Sequence, residues 1–123
     1  QAKAAEGTRS KSWRLYFADR WIEAEIARLF SYLNISIQAR NLVPNYEASM
    51  SKLYTTELGQ RIAHTALKMY GLQGMAWDAK RPENGRGRVA TGYLSAVSST
   101  IAGGTSEIQR GIIATRGLGL PRG

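Results

Sequence analysis

The sequence predicts an all-α fold, and three patterns support that fold class. Residues 12–40 contain no Gly or Pro, and apolar residues recur there every three or four positions, which is helical spacing. The same spacing returns over residues 45–70 and over residues 106–116, whereas no segment reads convincingly as a strand. Short links between helices favour antiparallel neighbours. We therefore expect an antiparallel helical bundle.

The first predicted helix spans residues 12–40 and is long and amphipathic. Its apolar stripe consists of Leu15, Ile22, Ile26, Leu29 and Leu33. Residues 1–11 are predicted to form a flexible lead-in because they include the helix-weakening residues Gly7, Thr8 and Ser10. The helical bundle is then expected to occupy residues 12–123.

A break is predicted at residues 41–45, where Pro44 suits the first turn of a new helix. The second helix follows over residues 45–70 and contains His64, to which we assign a surface or packing role rather than catalysis. Residues 71–88 form the irregular region, with several glycines and the basic residues Lys80, Arg81, Arg86 and Arg88. This region is either a solvated loop or a loop that faces phosphate. A shorter helix is predicted over residues 90–100.

A diglycine turn, Gly103-Gly104-Thr105-Ser106, leads into the last predicted helix, residues 106–116. Ser106 and Gln109 have the spacing of a capping box, so we expect Ser106 to cap this helix. The free N–H groups of a helix start can hold an anion or an electron-rich ring edge, and glycines let a ligand approach the backbone. The simpler interpretation is a turn that only caps a core helix. Gly117 and Pro121 suit the end of that helix.

The composition limits the function classes. The chain has 123 residues, enough for one domain, and it carries a net charge of +8. It has no Cys and only one His, so no metal site is predicted. No apolar run is long enough for a membrane span. The basic charge permits nucleic acid or the phosphates of a cofactor as partners, but no recognition-helix pattern favours nucleic acid. Because the chain begins with Gln1 and no Met, we expect it to be part of a longer protein.

The residues from Ile101 to Arg110, IAGGTSEIQR, followed by IIATR and LGLPR, closely resemble the C-terminal end of the acyl-CoA dehydrogenase family. The preceding segment KMYGLQG, after a second helix, agrees in order. The resemblance covers about residues 12–122 and matches the later part of that family's C-terminal four-helix domain.

The resemblance implies an FAD-dependent enzyme. In that family a carboxylate removes the α-proton of an acyl-CoA thioester, the β-hydride passes to the flavin, and an electron-transferring flavoprotein reoxidises the flavin. It also implies a homo- or hetero-oligomer, located in the cytoplasm of a bacterium or in the mitochondrial matrix of a eukaryote. The α-carbon of a thioester is too weak an acid for a free carboxylate in water. Polarising the thioester carbonyl and excluding water bring the two pKa values together, so that the carboxylate can remove the proton.

The resemblance also assigns cofactor-binding positions. Thr105, Ser106 and Glu107 match the family's flavin-contacting turn, and residues 68–72 match a segment that reaches the FAD of a neighbouring subunit. Within that segment Lys68 stands where the family usually has Gln, and Gly71 and Leu72 stand where it usually has a Gly pair. Lys68 can meet a pyrophosphate as a point charge.

Gly103 is the most informative departure, because many short- and medium-chain members carry the catalytic Glu at that position. Glycine cannot accept a proton, so no catalytic residue is predicted within this chain. Either an earlier helix of the same protein supplies the base, or the chain is a non-catalytic subunit of a hetero-oligomer. We also expect the chain on its own to expose its apolar stripe and to self-associate.

Overall fold

The computed structural model describes residues 2–75 and 86–122. These residues form α-helices and one π-helical segment and contain no strand, so the all-α prediction is confirmed. The helices are α1 (Ala2–Ala39), α2 (Tyr46–Tyr70), α3 (Leu72–Met75), α4 (Arg86–Ser99) and α5 (Ser106–Ile112), and the π-helical segment Ile113–Gly117 continues α5.

Helix α2 is the centre of the bundle. It contacts every other element, whereas α1 contacts only α2 within the described ranges. Helices α1 and α2 are antiparallel, because Glu23 pairs with Arg61 at 3.1 Å while the later residue Phe30 meets the earlier residue Tyr54, with ring centroids 5.4 Å apart. The predicted antiparallel neighbours are thus present.

The elements on the other side of α2 also run antiparallel to it. Helix α5 places Arg110 against Glu57, and the π-helical segment places Arg116 Nη1 2.8 Å from Asn45 Oδ1. At the end of α4, Thr100 accepts a hydrogen bond from Gln60. Helices α1, α4 and α5 therefore all pack against α2.

Helix α1 begins at Ala2, ten residues before the predicted start at Ser12, so the expected lead-in is helical in the structure. The difference has a simple cause. A single glycine such as Gly7 costs a helix about 1 kcal/mol relative to Ala, and the surrounding residues 2–6 (AKAAE) are strong helix formers. That residues 1–11 form a separate unit stays a prediction.

Helix α1 ends where the sequence predicts, and the break is built by Asn41. This residue has φ of 58°, and its N–H donates to the carbonyl of Gln38 at 2.9 Å. Leu42 N–H donates to the carbonyl of Ile37 at 3.2 Å, which completes a Schellman-type end. Pro44 precedes the N-cap Asn45 rather than lying in the first turn of α2, so that detail of the prediction was wrong.

Helix α4 begins at Arg86, four residues before the predicted start at residue 90. Residues 76–85, which include Lys80 and Arg81 of the predicted irregular region, lie outside the described residues. Both interpretations of that region, a solvated loop or a phosphate-facing loop, therefore stay predictions.

Helix α1 turns its less apolar side toward α2. The partly buried residues on that side are Trp13, Arg20, Glu23, Ala27, Phe30, Asn34 and Ile37. The apolar stripe is centred about 110° away around the helix and is exposed. Its exposed fractions are 69% for Leu15, 58% for Ile22, 38% for Ile26, 60% for Leu29 and 42% for Leu33. The expected exposure of this stripe is thus observed.

The described helices bury little apolar surface among themselves. Leu58 of α2, with 4% of its surface exposed, is the one large apolar side chain of the described residues that is classed as buried. No helix in the described ranges has both the length and the apolar character of a membrane span.

Candidate functional site

The diglycine turn joins α4 to α5, and both of its glycines have positive φ. Gly103 has φ of 68° and Gly104 has φ of 98°, a region that L side chains rarely adopt. At Gly104 a Cβ would also lie 2.8 Å from Gln109 Nε2. The turn therefore needs Gly104 for two reasons, conformation and space.

The cap of α5 is Thr105, one residue before the predicted Ser106. Thr105 is extended, with φ of −64° and ψ of 165°, and its hydroxyl accepts a hydrogen bond from Ile108 N–H at 3.4 Å. Ser106 is instead the first helical residue. Gln109 Nε2 donates to the carbonyl of Gly103 at 3.0 Å and so does not complete a capping box. The helix starts at Ser106 as predicted, but its cap is Thr105 rather than Ser106.

Side chains of α2 fix the diglycine turn in place. Lys52 Nζ donates to the carbonyl of Gly104 at 2.5 Å and to that of Thr100 at 3.3 Å. Gln60 Nε2 donates to Thr100 Oγ1 at 3.1 Å. These contacts join the end of α4, the turn and α2 through polar groups that are partly buried.

The sequence interpretation did not identify Lys52 or Gln60, although a signal for them exists. Polar residues recur every fourth position along α2, as Lys52, Thr56, Gln60, His64 and Lys68. Four-residue spacing keeps side chains on neighbouring parts of one helix face. A polar row on a central helix indicates that polar groups of other elements lie opposite it.

Two adjoining open clefts lie along this polar row of α2. The first has a volume of about 420 Å³ and is lined by Glu57, Gln60, Arg61, His64, Tyr93, Val97, Thr100 and Ser106. The second has a volume of about 550 Å³ and is lined by His64, Leu67, Lys68, Gly71, Leu72, Met75 and Tyr93. Because His64 and Tyr93 line both, the clefts form one groove between α2 and α4, which we call the α2–α4 groove.

The structure brings most of the predicted cofactor residues to the α2–α4 groove. Ser106 lines one end, and Lys68, Gly71 and Leu72 line the other. Thr105 and Glu107 stand beside Ser106 at the start of α5 without lining the groove. Residues that are far apart in sequence therefore share one side of the bundle.

Gly71 and Leu72 shape the far end of the groove. Gly71 has φ of 57° and ends α2 by donating its N–H to the carbonyl of Leu67 at 2.8 Å. Leu72 is 87% exposed directly after this turn. Lys68 is an exposed residue in the last turn of α2. An apolar side chain and an amine thus stand close together at this end.

Glu107 is an exposed carboxylate in the first turn of α5. Its own backbone N–H, and next the Thr105 hydroxyl, bond the carboxylate and hold the pKa of Glu107 below its ordinary value. A carboxylate with a lowered pKa is a weak proton acceptor. Its geometry fits a role in capping α5 rather than a role as base.

His64 lies at the junction of the two clefts, a position that the sequence interpretation did not foresee. Gly103 is exposed, and a Cβ at this position would meet nothing within 4 Å. The described residues contain no cluster of three side chains suited to bind a metal ion.

The family model of the acyl-CoA dehydrogenase C-terminal domain matches residues 3–118. The chain belongs to this family. A curated member, acyl-CoA dehydrogenase FadE26 of Mycobacterium tuberculosis, is 31% identical over 126 residues, which is 98% of this chain and 32% of that protein. This acyl-CoA dehydrogenase chain thus spans about a third of the length of the curated relative that it matches.

Two solved structures share the fold of this acyl-CoA dehydrogenase domain. The Tcur3481–Tcur3483 steroid acyl-CoA dehydrogenase superposes with a TM-score of 0.81 at 23% identity, over 90% of this chain and 29% of that chain. A variant of that protein superposes with the same TM-score and identity, over 99% of this chain and 33% of that chain. These two likenesses support the helical fold.

Proposed function

We propose that this chain is part of an FAD-dependent acyl-CoA dehydrogenase that introduces a double bond between the α- and β-carbons of acyl-CoA thioesters. The support is that Ser106 and the group Lys68, Gly71 and Leu72 line one groove, although about 35 residues separate them. The family resemblance assigns these same positions to FAD. FAD would accept the hydride from the β-carbon, and an electron-transferring flavoprotein would then reoxidise it.

The residues of this chain would bind and orient the cofactor. The diglycine turn leaves room for a ligand to approach the backbone at Thr105 and Ser106, since Gly103 carries no side chain and a Cβ there would meet nothing. At the other end of the groove, the ammonium of Lys68 supplies a positive charge suited to a phosphate. The net charge of +8 favours the same class of ligand.

The catalytic base would come from outside this chain. Gly103 has no side chain to accept a proton, and the carboxylate of Glu107 has a lowered pKa and is bonded within the cap. Glu57 lines the groove, but its Oε1 lies 2.5 Å from Arg110 Nη2 in an ion pair. Among the described residues that line the groove, Glu57 is the carboxylate, and its ion pair keeps it from acting as a free proton acceptor.

The alternative is a non-catalytic assembly subunit of a hetero-oligomeric acyl-CoA dehydrogenase. Two observations favour it: Gly103 replaces the family's frequent Glu, and the apolar stripe of α1 is exposed in this chain. Such a subunit would supply bundle surface and a flavin-facing turn without the base.

Flavin absorbance of the full-length protein separates the two functions. A yellow protein whose visible flavin band bleaches on addition of an acyl-CoA supports the dehydrogenase. A yellow protein that does not bleach with straight-chain, branched or steroid-side-chain CoA thioesters supports the assembly role. A colourless protein would count against FAD at this groove.

A pair of serine substitutions tests the cofactor-facing turn. Ser106→Ala changes the residue that lines the groove, and it is expected to lower the affinity for FAD. Ser98→Ala is the matched control, because the Ser98 hydroxyl donates to the carbonyl of Ser95 within α4 and does not line the groove. Equal FAD affinity in both variants and in the wild type would argue against the assignment of Ser106.

A further inference from the structure

The exposed apolar stripe of α1 follows a seven-residue repeat. Leu15, Ile22 and Leu29 share one position of that repeat, and Ile26 and Leu33 share the other. Two apolar positions in seven form a narrow seam, which is typical of a helix that packs lengthwise against one other helix. All five side chains are 38–69% exposed, so the seam has no such partner among the described residues.

The stripe and the open groove between α1 and α2 lie on different faces of α1. That groove is apolar, has a volume of about 500 Å³, and is lined on the α1 side by residues that include Phe17, Trp21 and Ala24. At 100° per residue, these three lie about 110° from the side that meets α2, and the stripe lies about 110° from it in the opposite direction. A segment that filled the groove would therefore leave the stripe uncovered.

Two charged residues flank the apolar part of the stripe. Asp19 comes seven residues before Ile26, and Arg40 comes seven residues after Leu33, so all four share one position of the repeat. Both charged side chains are exposed, and neither has an ion pair with another of the described residues. Opposite charges thus stand at opposite ends of the same seam.

These charges select the direction in which two copies of α1 can pair. In a parallel pair, equal positions of the repeat face each other, so Asp19 would meet Asp19 and Arg40 would meet Arg40. In an antiparallel pair, the acidic end of each seam lies beside the basic end of the other. Like charges opposite each other are unfavourable, and complementary charges favour the antiparallel arrangement.

One antiparallel alignment matches both apolar layers of the seam. It sets Ile22 against Leu33 of the second copy and Ile26 against Leu29, and the two-fold symmetry repeats each contact. Sliding one helix by seven residues in either direction sets a charge against an apolar side chain, either Asp19 against Leu29 or Arg40 against Ile22. Burying a charge against an apolar side chain is costly, so this alignment is favoured over its neighbours.

The same alignment gives the two charges a partner. Asp19 comes to lie opposite Ser36 of the second copy, a polar and exposed position of the seam. Arg40 is four residues beyond Ser36 and therefore lies on the same side of the chain, about one turn away. Asp19 of each copy can then pair with Arg40 of the other, once at each end of the interface.

We infer that the stripe of α1 docks onto the stripe of a second copy of this chain, antiparallel, about a two-fold axis between residues 27 and 28. The surface is self-complementary, as an interface between identical subunits must be. The inference does not rest on the cofactor, and it applies equally to a catalytic and to a non-catalytic chain.

Cross-linking in the full-length protein, with any subunit it requires, tests the direction of pairing. Residues 1–123 contain no Cys, so single cysteines can be introduced once any native cysteines elsewhere in the protein are replaced by Ser. We expect a short bismaleimide to join Asp19→Cys to Ser36→Cys when the two variants are co-expressed. Each variant alone should not cross-link, because its two cysteines would lie about 25 Å apart. Cross-linking of Asp19→Cys with itself would show a parallel pair and overturn the inference.

Charge reversal tests the two ion pairs. Arg40→Asp sets like charges together at both ends, and it is expected to raise the Kd of self-association about tenfold. The same change lowers the net positive charge of the chain, which by itself would favour association. Combining Arg40→Asp with Asp19→Arg should restore the wild-type Kd. Arg14→Asp is the control, because it makes the same charge change at an exposed position of α1 about 90° from the stripe. Sedimentation over a range of concentrations measures each Kd.

A different occupant of the stripe gives a different pattern. Another protein, or another segment of the same protein, would leave Asp19→Cys and Ser36→Cys without a cross-link, and it would remove the rescue of Arg40→Asp by Asp19→Arg. Either result would overturn the pairing of two copies through α1.

Discussion

The side-chain amide of Gln109 lies where a Cβ on Gly104 would have to be placed. The gap between that Cβ and Gln109 Nε2 would be 2.8 Å, and Ile108 Cγ2 would be 3.4 Å away. At the neighbouring Gly103 a Cβ would meet nothing within 4 Å. A side chain at either glycine would strain the backbone, because both have positive φ. A side chain at Gly104 would in addition clash with Gln109.

The first prediction compares alanine at these two positions. Gly103→Ala should lower the free energy of unfolding by about 1 kcal/mol, the cost of a left-handed conformation for a residue with a Cβ. Gly104→Ala should lower it by about 3 kcal/mol, because the Gln109 amide must also move and give up its bond to Gly103. Urea unfolding followed by circular dichroism measures both.

Gly103→Asn is the control for this pair. Asn tolerates positive φ better than Ala does, so this variant should be the least destabilised of the three. Equal losses for Gly103→Ala and Gly104→Ala would mean that the contact with Gln109 adds nothing.

The second prediction concerns Glu23, which pairs with Arg20 within α1 and with Arg61 of α2. Glu23 Oε2 lies 3.0 Å from Arg20 Nη1, and Glu23 Oε1 lies 3.1 Å from Arg61 Nε, with 23% of the Glu23 side chain exposed. Glu23→Gln leaves two partly buried guanidinium groups without their carboxylate, and it should lower the free energy of unfolding by about 1–2 kcal/mol. This is less than the about 3–5 kcal/mol typical of a fully buried pair.

Glu25→Gln is the matched change on the same helix. Its partner Arg28 is 58% exposed, and surface pairs of this kind contribute about 0–1 kcal/mol. Urea midpoints for the two variants should therefore differ clearly. A loss for Glu25→Gln as large as that for Glu23→Gln would show that the Glu23 pairs are screened like surface pairs.

The third prediction is a pH dependence at the start of α5. The pKa of Glu107 is lowered by the bond from its own N–H and by the Thr105 hydroxyl, so the folded state favours the ionised form. Its contribution is fully present above the ordinary carboxyl pKa and is lost as pH falls through the lower folded value. Wild type and Glu107→Gln should converge in stability toward acid pH, and NMR titration of the carboxyl should give the lowered pKa. A Glu107 that titrates at its ordinary value would contradict the cap geometry.

The sequence was sufficient to predict α2 and the last helix closely, because helical spacing and the breakers at residues 41–45 and 117 mark their limits. It placed the cap of α5 at Ser106 rather than Thr105, since two adjacent hydroxyl residues can each cap a helix and backbone conformation selects one. The assignment of Thr105, Ser106 and Glu107 to FAD stays a prediction. The roles of Lys52 and Gln60 depend on tertiary contacts, which helical spacing alone does not reveal.

Helix α1 shows a second limit of sequence reasoning. Its strongest apolar stripe is predictable from spacing, yet the side that meets α2 includes Arg20, Glu23 and Asn34. Hydrophobicity alone would have chosen the other face. The Glu23–Arg61 ion pair and the Phe30–Tyr54 contact give this mixed face its partners on α2. The apolar stripe therefore stays exposed.

The last prediction follows from that exposed stripe. Five large apolar side chains on one face of α1, from Leu15 to Leu33, are 38–69% exposed, and contiguous apolar surface of this kind favours association. We expect the 123-residue chain to self-associate, with a mass by light scattering that rises with concentration. Ile22→Lys places a charge in the middle of the stripe and should lower that mass. Ser31→Lys adds the same charge at an exposed polar position of α1 and should not. Because the two variants carry equal net charge, a difference in mass between them is due to the stripe and not to general charge repulsion. A strictly monomeric wild type at high concentration would contradict the prediction.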